Sequence, residues 1–242
     1  MAAYELRVSA RRRTLALEVH RDLRVIVRAP ARLDRGIIDA WVAGRSQWIA
    51  RQVERFRRLD QERPAPPRYV TGETLPFLGR DFRLEVAAAP RPAVWLAGDT
   101  LQVATRGGMG GEAARRVLER WYRERATGIF AAILERNFAW FAARGHVRPE
   151  VLVRRMTRRW GSLSGPVPGS ERRDPRSVAP RRMTLNLALV RAPRECIEYV
   201  VVHELCHLEQ RGHGRPFHLL MDQRLPDWRE RRRRLESAVL PG

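Results

Sequence analysis

The sequence is poor in cysteine and contains no lysine at all. Only Cys196 and Cys206 occur in 242 residues, both in a segment with the pattern of one helix, so a disulfide framework is excluded and a reducing compartment is favoured. All 47 side chains counted as lysine or arginine are arginine. The use of arginine at every one of these positions indicates coding bias, as in a GC-rich genome, rather than selection for a binding face.

Long apolar runs are missing as well. No apolar stretch of about 18 residues occurs, which argues against a transmembrane helix. The first thirty residues are rich in arginine and lack the apolar core of a signal peptide. We therefore expect a cytoplasmic protein with no membrane partner, and its 44% apolar content is ordinary for a globular chain.

One sign of charge dominates the sequence. The formal net charge is +20, and arginine neutralises phosphate groups and releases their counterions. A solvated basic surface is the commoner meaning of such an excess, and no clear platform of aromatic residues interleaved with basic ones is evident. Nucleic acid is therefore a possible partner that the sequence does not favour.

The N-terminal part alternates apolar and polar residues in the manner of strands. Residues 6–8, 15–19 and 23–27 predict a β meander. From residue 33 to about residue 58, apolar residues recur at helical spacing and predict one long helix. A proline-rich linker, residues 64–67, ends this part of the chain.

A second group of strands completes the first half. Alternating segments predict four strands, at residues 75–78, 82–86, 94–96 and 101–103. A glycine cluster at 107–111 then breaks the pattern without matching a phosphate-binding fingerprint, and is interpreted as a hinge. We predict two domains: a β-rich N-terminal region with one long helix over 1–108, and a second domain over 109–242.

The second domain is predicted to mix helices and strands. A long amphipathic helix is expected over residues 112–144, with its aromatic residues in the core. Strands are expected at 151–155 and 183–187, with a loop rich in Gly, Pro, Ser and Arg over 165–180 between them. Pro193 opens the next helix at a first-turn position, where its missing N–H costs nothing.

That helix carries the residues that point to chemistry. His203 and His207 are four positions apart, so they lie about 40° apart around a helix and roughly 6 Å apart along it, and both imidazoles can reach one ion. Glu204 completes an HExxH motif, in which the glutamate takes a proton from a metal-activated water. The spacing predicts a Zn2+ site with Glu204 as the general base.

A catalytic zinc site needs a third protein ligand and one open position. His213 lies ten residues after His203, too far along a continued helix, so the helix must stop, and Gly212 is where a left-handed turn is expected. His218 is the competing third ligand, with packing as its alternative role. Cys206 borders the ligand face and is interpreted as a small packing residue. The sequence thus favours a three-histidine site completed by His213.

Several motifs of this chain occur together in one known family. They are the HELCH segment, the following His213 and Phe217, the run Leu225-Pro226-Asp227-Trp228-Arg229, and upstream Arg159-Trp160-Gly161-Ser162 and Leu185-Asn186. In these motifs the chain closely resembles the YgjP-like metallopeptidase family, relatives of the SprT-like zinc proteases. The resemblance covers nearly the whole chain.

The resemblance implies an α+β protein. It implies a β-rich N-terminal region followed by a zincin-like helical and β metallopeptidase domain, with zinc held at the positions matching His203, His207 and His213. Two departures stand out. Leu163 occupies a position where the family usually shows cysteine, and the 165–180 segment is longer than the short turn expected there.

The leading hypothesis is a zinc-dependent metallopeptidase that cleaves a peptide or protein substrate. Glu204 is expected to accept a proton from the zinc-activated water and to return it to the leaving amine. An extended peptide is expected to pair with an exposed edge of the 183–187 strand. Arg158 and Arg159 are candidates for stabilising the oxyanion.

Three other functions stay open at this point. The same site could hydrolyse a phosphoanhydride, as a metal-dependent nucleoside triphosphate pyrophosphatase whose arginines hold the phosphates. The charge and the kinship with SprT-like proteins leave a DNA-associated protease or a nucleic-acid-binding module. A purely structural zinc is disfavoured, because closed structural sites usually employ four Cys/His ligands.

Overall fold

A computed structural model describes residues 3–20, 22–61, 66–106, 108, 110–157, 159–166 and 181–237. In these ranges the chain forms ten β-strands in three small sheets and six α-helices, the mixed α+β fold that was predicted. Spatial contacts divide the chain into two compact units, Met1–Ala65 and Pro66–Gly242. None of the helices in these ranges is both long enough and apolar enough to cross a membrane.

The N-terminal unit has one three-stranded sheet and two helices. Its elements are β1 (Glu5–Ser9), β2 (Ala16–Val19), β3 (Val25–Pro30), α1 (Arg35–Ala43) and α2 (Ser46–Gln61). The predicted meander is wrong, because β3 lies between β1 and β2, parallel to β1 and antiparallel to β2. Alternation located the strands, but it does not encode which strands become neighbours.

The single helix predicted over residues 33–58 is also wrong, since two helices are present. α1 ends at Ala43 and α2 begins at Ser46. Between them Gly44 donates its N–H to the carbonyl of Ala40 at 3.0 Å and closes the first helix. Apolar periodicity runs through the break because both helices contribute to one core, formed by Val25, Val27, Ala29, Ile38, Val42 and Ile49.

The second unit begins with a four-stranded sheet whose strands match the predicted segments. These are β4 (Thr74–Phe77), β5 (Arg80–Ala88), β6 (Ala93–Ala97) and β7 (Thr100–Thr105). Their order is β4-β5-β7-β6, with β5 and β7 parallel and the other pairs antiparallel. The long helix α3 (Gly111–Ala142) follows, and five of its six aromatic residues are buried, namely Trp121, Tyr122, Phe130, Phe138 and Phe141.

The third sheet lies beside the histidine segment. It consists of β8 (Glu150–Arg154), β9 (Gly161–Pro166) and β10 (Arg181–Asn186). β10 is central, parallel to β8 and antiparallel to β9, so the expected free edge of the 183–187 strand is wrong. Its apolar side chains Met183 and Leu185 are fully buried, which suits a central strand. β9 includes the first two residues of the predicted loop, and residues 167–180 lie outside the described ranges.

A 3₁₀ helix, Leu187–Arg191, leads from β10 into the helix that carries the HExxH motif. That helix is α4 (Arg194–Cys206), and α5 (Arg215–Arg224) and α6 (Trp228–Ser237) follow it. Pro193 is the N-cap of α4, one position before its predicted place. α4 packs against α3, α5, α6 and β9, and nine of its thirteen residues are buried, so the helix is enclosed on most sides.

The turn between β4 and β5 is fixed to the start of α4. The Leu78 N–H donates to the carbonyl of Val190 at 2.9 Å, and the next N–H donates to that of Arg191 at the same distance. Gly79 has a φ of +79°, and a Cβ there would lie 2.7 Å from Cγ of Pro193. Glycine permits both the backbone conformation and the close contact, so the four-stranded sheet helps to fix the position of α4.

The buried core of the second unit contains residues from both sides of the predicted domain boundary at residue 108. Leu84 of β5, Phe130 of α3 and Val201 of α4 belong to one buried apolar cluster. The division into domains over 1–108 and 109–242 stays a prediction, since shared packing does not decide which segments fold or evolve as units.

Candidate metal centre

Three histidines meet at the C-terminal end of α4. His203 lies in the last turn of the helix, and His207 is its C-cap. The helix stops earlier than predicted, at Cys206, and Gly212 does not have a positive φ. Successive backbone hydrogen bonds from residues 208–210 back to the end of the helix make the reversal instead. The chain then returns His213 to the helix end, just before α5 begins.

The Nε2 atoms of these histidines face one another. Nε2 of His213 lies 3.0 Å from Nε2 of His203 and 3.1 Å from Nε2 of His207. His203 and His207 are half-buried and His213 is exposed, so the group has one side open to solvent. Three histidines placed in this way form a group that could hold a metal ion.

The spacing fits an ion bound by imidazole. In a tetrahedral arrangement, nitrogen ligands with bonds of about 2.0–2.1 Å lie about 3.3–3.4 Å apart. The observed 3.0 and 3.1 Å are close to this separation. Catalytic zinc sites use three protein ligands and leave the fourth position open, and imidazole also binds other divalent transition metals. The donor set therefore fits zinc.

A hydrogen bond fixes the tautomer of His207. Its Nδ1 lies 2.8 Å from the carbonyl oxygen of Gln210. A carbonyl oxygen only accepts, so Nδ1 must carry the proton, and in the neutral ring Nε2 keeps its lone pair. The lone pair points into the group. The Gln210 carbonyl orients the ring, as the hydrogen-bond partner of a metal-binding histidine commonly does.

The surroundings favour the neutral form of two of the histidines, His203 and His213. Burial lowers the pKa of His203 to about 3, and the neighbouring rings of His207 and His213 act in the same direction. Burial also lowers the pKa of His213. Neutral imidazole is the form that binds a metal, so these two rings are ready to act as ligands at neutral pH.

Phe217 of α5 packs against all three imidazoles. Its ring centroid lies 4.9 Å from that of His203 and 4.8 Å from those of His207 and His213. The side chain is 2% exposed, so it closes the site from the protein side and restricts the rotation of three rings at once.

Glu204 lies on the same helix with its side chain buried. It is 5% exposed. Burial raises the pKa of Glu204 to about 7, while a hydrogen bond from the backbone N–H of Leu163 and the positive charge of Arg159 act in the opposite direction. A carboxyl group with a pKa near neutrality suits a general base, because it is then both available and basic enough to take a proton.

β9 approaches Glu204 closely because it begins with glycine. A Cβ at Gly161 would lie 2.7 Å from Oε1 and 2.9 Å from Cγ of Glu204. The N–H of Asn186 donates to the carbonyl of Trp160 at 2.8 Å, so in this antiparallel pair the next residue, Gly161, and then Leu163 direct their backbone groups away from β10. One of these groups, the Leu163 N–H, is the one that reaches the Glu204 carboxylate.

Asn186 holds the segment before β9 in place. Its Nδ2 donates to the carbonyls of Met156 at 2.8 Å and Arg159 at 3.1 Å. Its Oδ1 accepts from the N–H of Met156 at 3.3 Å and from the N–H of Ala188 at 3.1 Å. The side chain is 6% exposed, so these four backbone partners, rather than water, satisfy its amide.

A cleft of about 610 Å³ opens in front of the histidines. Its walls include the first residues of β9, the three histidines, Glu204, and the arginines Arg159, Arg181 and Arg211. Among the described residues that line it, Glu204 is the only carboxylate. The cleft is therefore strongly positive around a single buried acid.

Comparison with known proteins gives the family. A family model of the YgjP-like metallopeptidase domain matches residues 13–238. The chain belongs to the YgjP-like family. Neither curated proteins nor solved structures give a match. Membership confirms the resemblance drawn from the HELCH segment and its flanking motifs.

The other residues considered as ligands lie elsewhere. The His218 ring stacks on Trp228, with centroids 5.6 Å apart and planes 8° from parallel. Cys206 is fully buried, and burial raises the pKa of its thiol to about 12, so it remains a protonated packing residue. Arg159 faces the cleft, whereas Arg158 lies outside the described residues.

The two departures from the YgjP-like pattern have different meanings. At Leu163 the contact with Glu204 is made by the backbone N–H, which is present whatever the side chain is. The long connection after β9 falls largely on residues 167–180, outside the described ranges.

Sequence reasoning missed three residues of this site. Gly161, Asn186 and Phe217 were noted only as parts of family motifs, without a role. A polar residue ending an apolar strand was a usable signal for Asn186, since a buried amide needs partners. No comparable local signal marks Phe217, whose contacts depend on the path of the chain between α4 and α5.

Proposed function

We propose that this protein is a zinc-dependent metallopeptidase with a zincin-like second domain. His203, His207 and His213 hold the zinc, and Glu204 is the general base. The observation that carries the proposal is the convergence of three imidazole nitrogens at the end of a helix that also bears a buried carboxylate. Family membership supports the same reading.

Each residue has a separate task in the proposed reaction. A zinc ion bound by the histidines supplies a Lewis acid that acidifies water and polarises a carbonyl. Glu204 accepts a proton from the attacking water and later passes it to the leaving amine. Arg159 faces the same cleft and donates to the oxygen on which negative charge develops.

The peptide is proposed to lie along β9. Within the described ranges this strand has one strand neighbour, β10, and the backbone groups of Gly161 and Leu163 point away from it. An extended peptide added at this edge would run past Glu204 and would pair with backbone groups of β9 other than the Leu163 N–H, which contacts the carboxylate. Main-chain hydrogen bonds of this kind give affinity without requiring one particular sequence.

Hydrolysis of a nucleoside triphosphate is the second candidate. It is favoured by the three arginines that line the cleft, because guanidinium groups bind phosphate oxygens well. The metal site and Glu204 would serve a phosphoanhydride as they would an amide.

The test combines metal content with two activities. Zinc per chain is measured by elemental analysis, and hydrolysis of casein and of nucleoside triphosphates is followed for the wild type, Glu204→Gln and the control Glu209→Gln. We expect about one zinc per chain in all three, and loss of casein cleavage in Glu204→Gln only. Activity that survives Glu204→Gln, or absence of bound metal, would contradict the proposal, and loss of triphosphate hydrolysis alone would select the second candidate.

A further inference from the structure

Two of the arginines that line the cleft lie near each other. Arg181 begins β10, and Arg211 lies in the reversal between α4 and α5; both face the cleft. They are close enough for the charge of Arg211 to act on Arg181. In the described part of the chain no ion pair joins either guanidinium to a carboxylate, so two like charges face the cleft uncompensated.

Arg181 is held in a defined orientation. Its Nε donates to the carbonyl of Ser164 at 3.1 Å, and its Nη1 donates to the carbonyl of His207 at 3.1 Å. A guanidinium has five N–H donors in a fixed plane. The remaining donors are therefore oriented by the protein, and little freedom is lost when an anion binds them.

We infer that Arg181 and Arg211 form a subsite for an acidic side chain, aspartate or glutamate, of the peptide substrate. The inference rests on the proposed metallopeptidase function and names the substrate class. A carboxylate accepts paired hydrogen bonds from guanidinium groups, and one placed here would relieve the repulsion between two arginines.

The position of the subsite follows from β9. Gly161 lies against Glu204, and Ser164, three residues further along the strand, lies against Arg181. Three strand residues span about 10 Å. In a peptide extended along β9, the acidic residue would therefore lie two or three positions from the cleaved bond.

An acidic peptide suits this geometry better than a triphosphate. The Ser164 carbonyl that Arg181 contacts lies three residues along β9 from Gly161, which lies against Glu204, whereas the cleaved phosphoanhydride of a nucleotide lies within the same chain of phosphates that the arginines would hold. The offset matches a side chain several residues away from the reacting carbonyl.

The test uses peptides that carry one acidic residue at each position within three of a cleavable bond, matched with peptides carrying the corresponding amide. We expect kcat/KM to be at least about tenfold higher for the acidic member when that residue lies two or three positions away on one side, as for a charge-assisted hydrogen bond. Arg211→Gln should reduce this preference several-fold. The control Arg233→Gln, which removes the same charge from an exposed position on α6, should leave it unchanged.

A charge reversal separates recognition from support of the fold. Arg181 also links β9 to the end of α4, so its replacement is expected to alter the cleft, and Arg211→Glu is the cleaner variant. It should favour peptides with arginine or lysine at the same position, which a purely structural role would not produce. Binding of the same labelled peptides to the zinc-loaded Glu204→Gln protein gives a readout that does not depend on cleavage.

The outcomes distinguish this inference from the proposed function. If acidic and amide peptides are cleaved equally, the subsite is wrong and the metallopeptidase stands. If acidic peptides bind through Arg211 but none is cleaved, the subsite stands and the peptidase fails. If only nucleoside triphosphates bind, and Arg211→Gln weakens them, the pair is a phosphate site and the inference is overturned.

Discussion

The sheet of the N-terminal unit and the sheet beside the histidines have the same arrangement of strands. In each, the third strand lies between the first and the second, parallel to the first and antiparallel to the second. β5, β7 and β6 repeat this arrangement a third time. Only the last sheet, β8-β10-β9, is followed by a helix with histidines, so strand order by itself does not make a site.

Two corresponding positions account for much of the difference. The central strand ends with Pro30 in the N-terminal sheet, paired with Ser9, and with Asn186 in the third sheet, paired with Arg154. Pro30 has no backbone N–H to donate, whereas the side-chain oxygen and nitrogen of Asn186 both bind the segment before β9. The edge strand begins with alanine in β2 and with glycine in β9, and only glycine admits Glu204. The two sheets thus share a strand order but differ in the residues at the strand ends that bind or admit their neighbours.

The largest expected effect comes from replacing the first residue of β9, Gly161, with alanine, the residue type that begins β2. In Gly161→Ala, the new Cβ would displace the Glu204 carboxylate, from which it would otherwise lie 2.7 Å. A misplaced general base costs about 100-fold in rate per ångström, so we expect kcat/KM for casein peptides to fall by about that factor while zinc content is unchanged. Ala16→Gly, at the start of β2, should change neither quantity. Loss of zinc in Gly161→Ala would show that the histidines had moved as well.

The second prediction removes the ring beneath the histidines. Phe217→Leu should weaken zinc binding about 10- to 100-fold, as replacing an outer partner of metal ligands commonly does, because three imidazoles gain freedom to rotate. Phe130→Leu, at a fully buried site in the same core, is the control and should lower the free energy of unfolding without changing zinc affinity. Competition with a chromophoric chelator measures the affinity. Equal zinc affinities in the two variants would mean that Phe217 only packs in the core and does not orient the histidines.

The third prediction concerns the end of the central strand. Asn186→Ala removes four hydrogen bonds to the backbone of Met156, Arg159 and Ala188, which costs about 2–4 kcal/mol in the free energy of unfolding. Pro30→Ala, at the corresponding place in β3, should cost less than about 1 kcal/mol. Urea denaturation gives both values. A cost in Asn186→Ala no greater than that in Pro30→Ala would mean that the amide does not fix the segment before β9.

The smallest effect compares two acids, one from each unit. Burial acts to raise the pKa of Glu198, but hydrogen bonds from Arg231, Asn137 and Arg136 outweigh it and the pKa is lowered. A lowered folded-state pKa stabilises the protein above the unfolded value of about 4.3, and this contribution is lost as pH falls through the folded value. Glu198→Gln should therefore destabilise the protein by about 1–2 kcal/mol at pH 7 and by less at pH 3.

Glu18 provides the matched comparison. A hydrogen bond from Arg28 lowers its pKa against the effect of burial, but its side chain is 37% exposed, against 17% for Glu198. Solvent screens such a pair, so Glu18→Gln should cost no more than about 0.5 kcal/mol. Thermal unfolding at several pH values checks both acids, and a pH-independent cost at Glu198 would contradict the assigned cause.

Local patterns predicted the elements more reliably than their pairing. Periodicity located α3, since a buried helical face repeats every three to four residues, and Pro193 with the apolar run before the HExxH motif located α4. It missed β9, whose residues Gly161, Ser162, Ser164 and Gly165 are too small and polar to alternate visibly. It also misplaced the free edge of the third sheet, because the neighbours of a strand are set by contacts distant in sequence.

The candidate site was predictable where its residues are close in sequence. His203, Glu204 and His207 share one helix, and the need for a third ligand pointed to His213, six residues on. The roles of Gly161 and Phe217 depend on chain segments that approach α4 only in the folded protein, so spacing alone could not reveal them.

The two ends of the β9–β10 strand pair have different neighbours. Gly161 pairs with Leu185 at the end far from the connection, and Pro166 pairs with Arg181 at the connecting end. Doubling the length of such a connection costs only about 0.6 kcal/mol of loop-closure free energy. The paired strands keep Gly161 against Glu204 when the connection changes. Lengthening or replacing that connection is thus expected to alter the neighbourhood of Arg181 more than that of Glu204, so the acidic subsite can change while the general base stays in place.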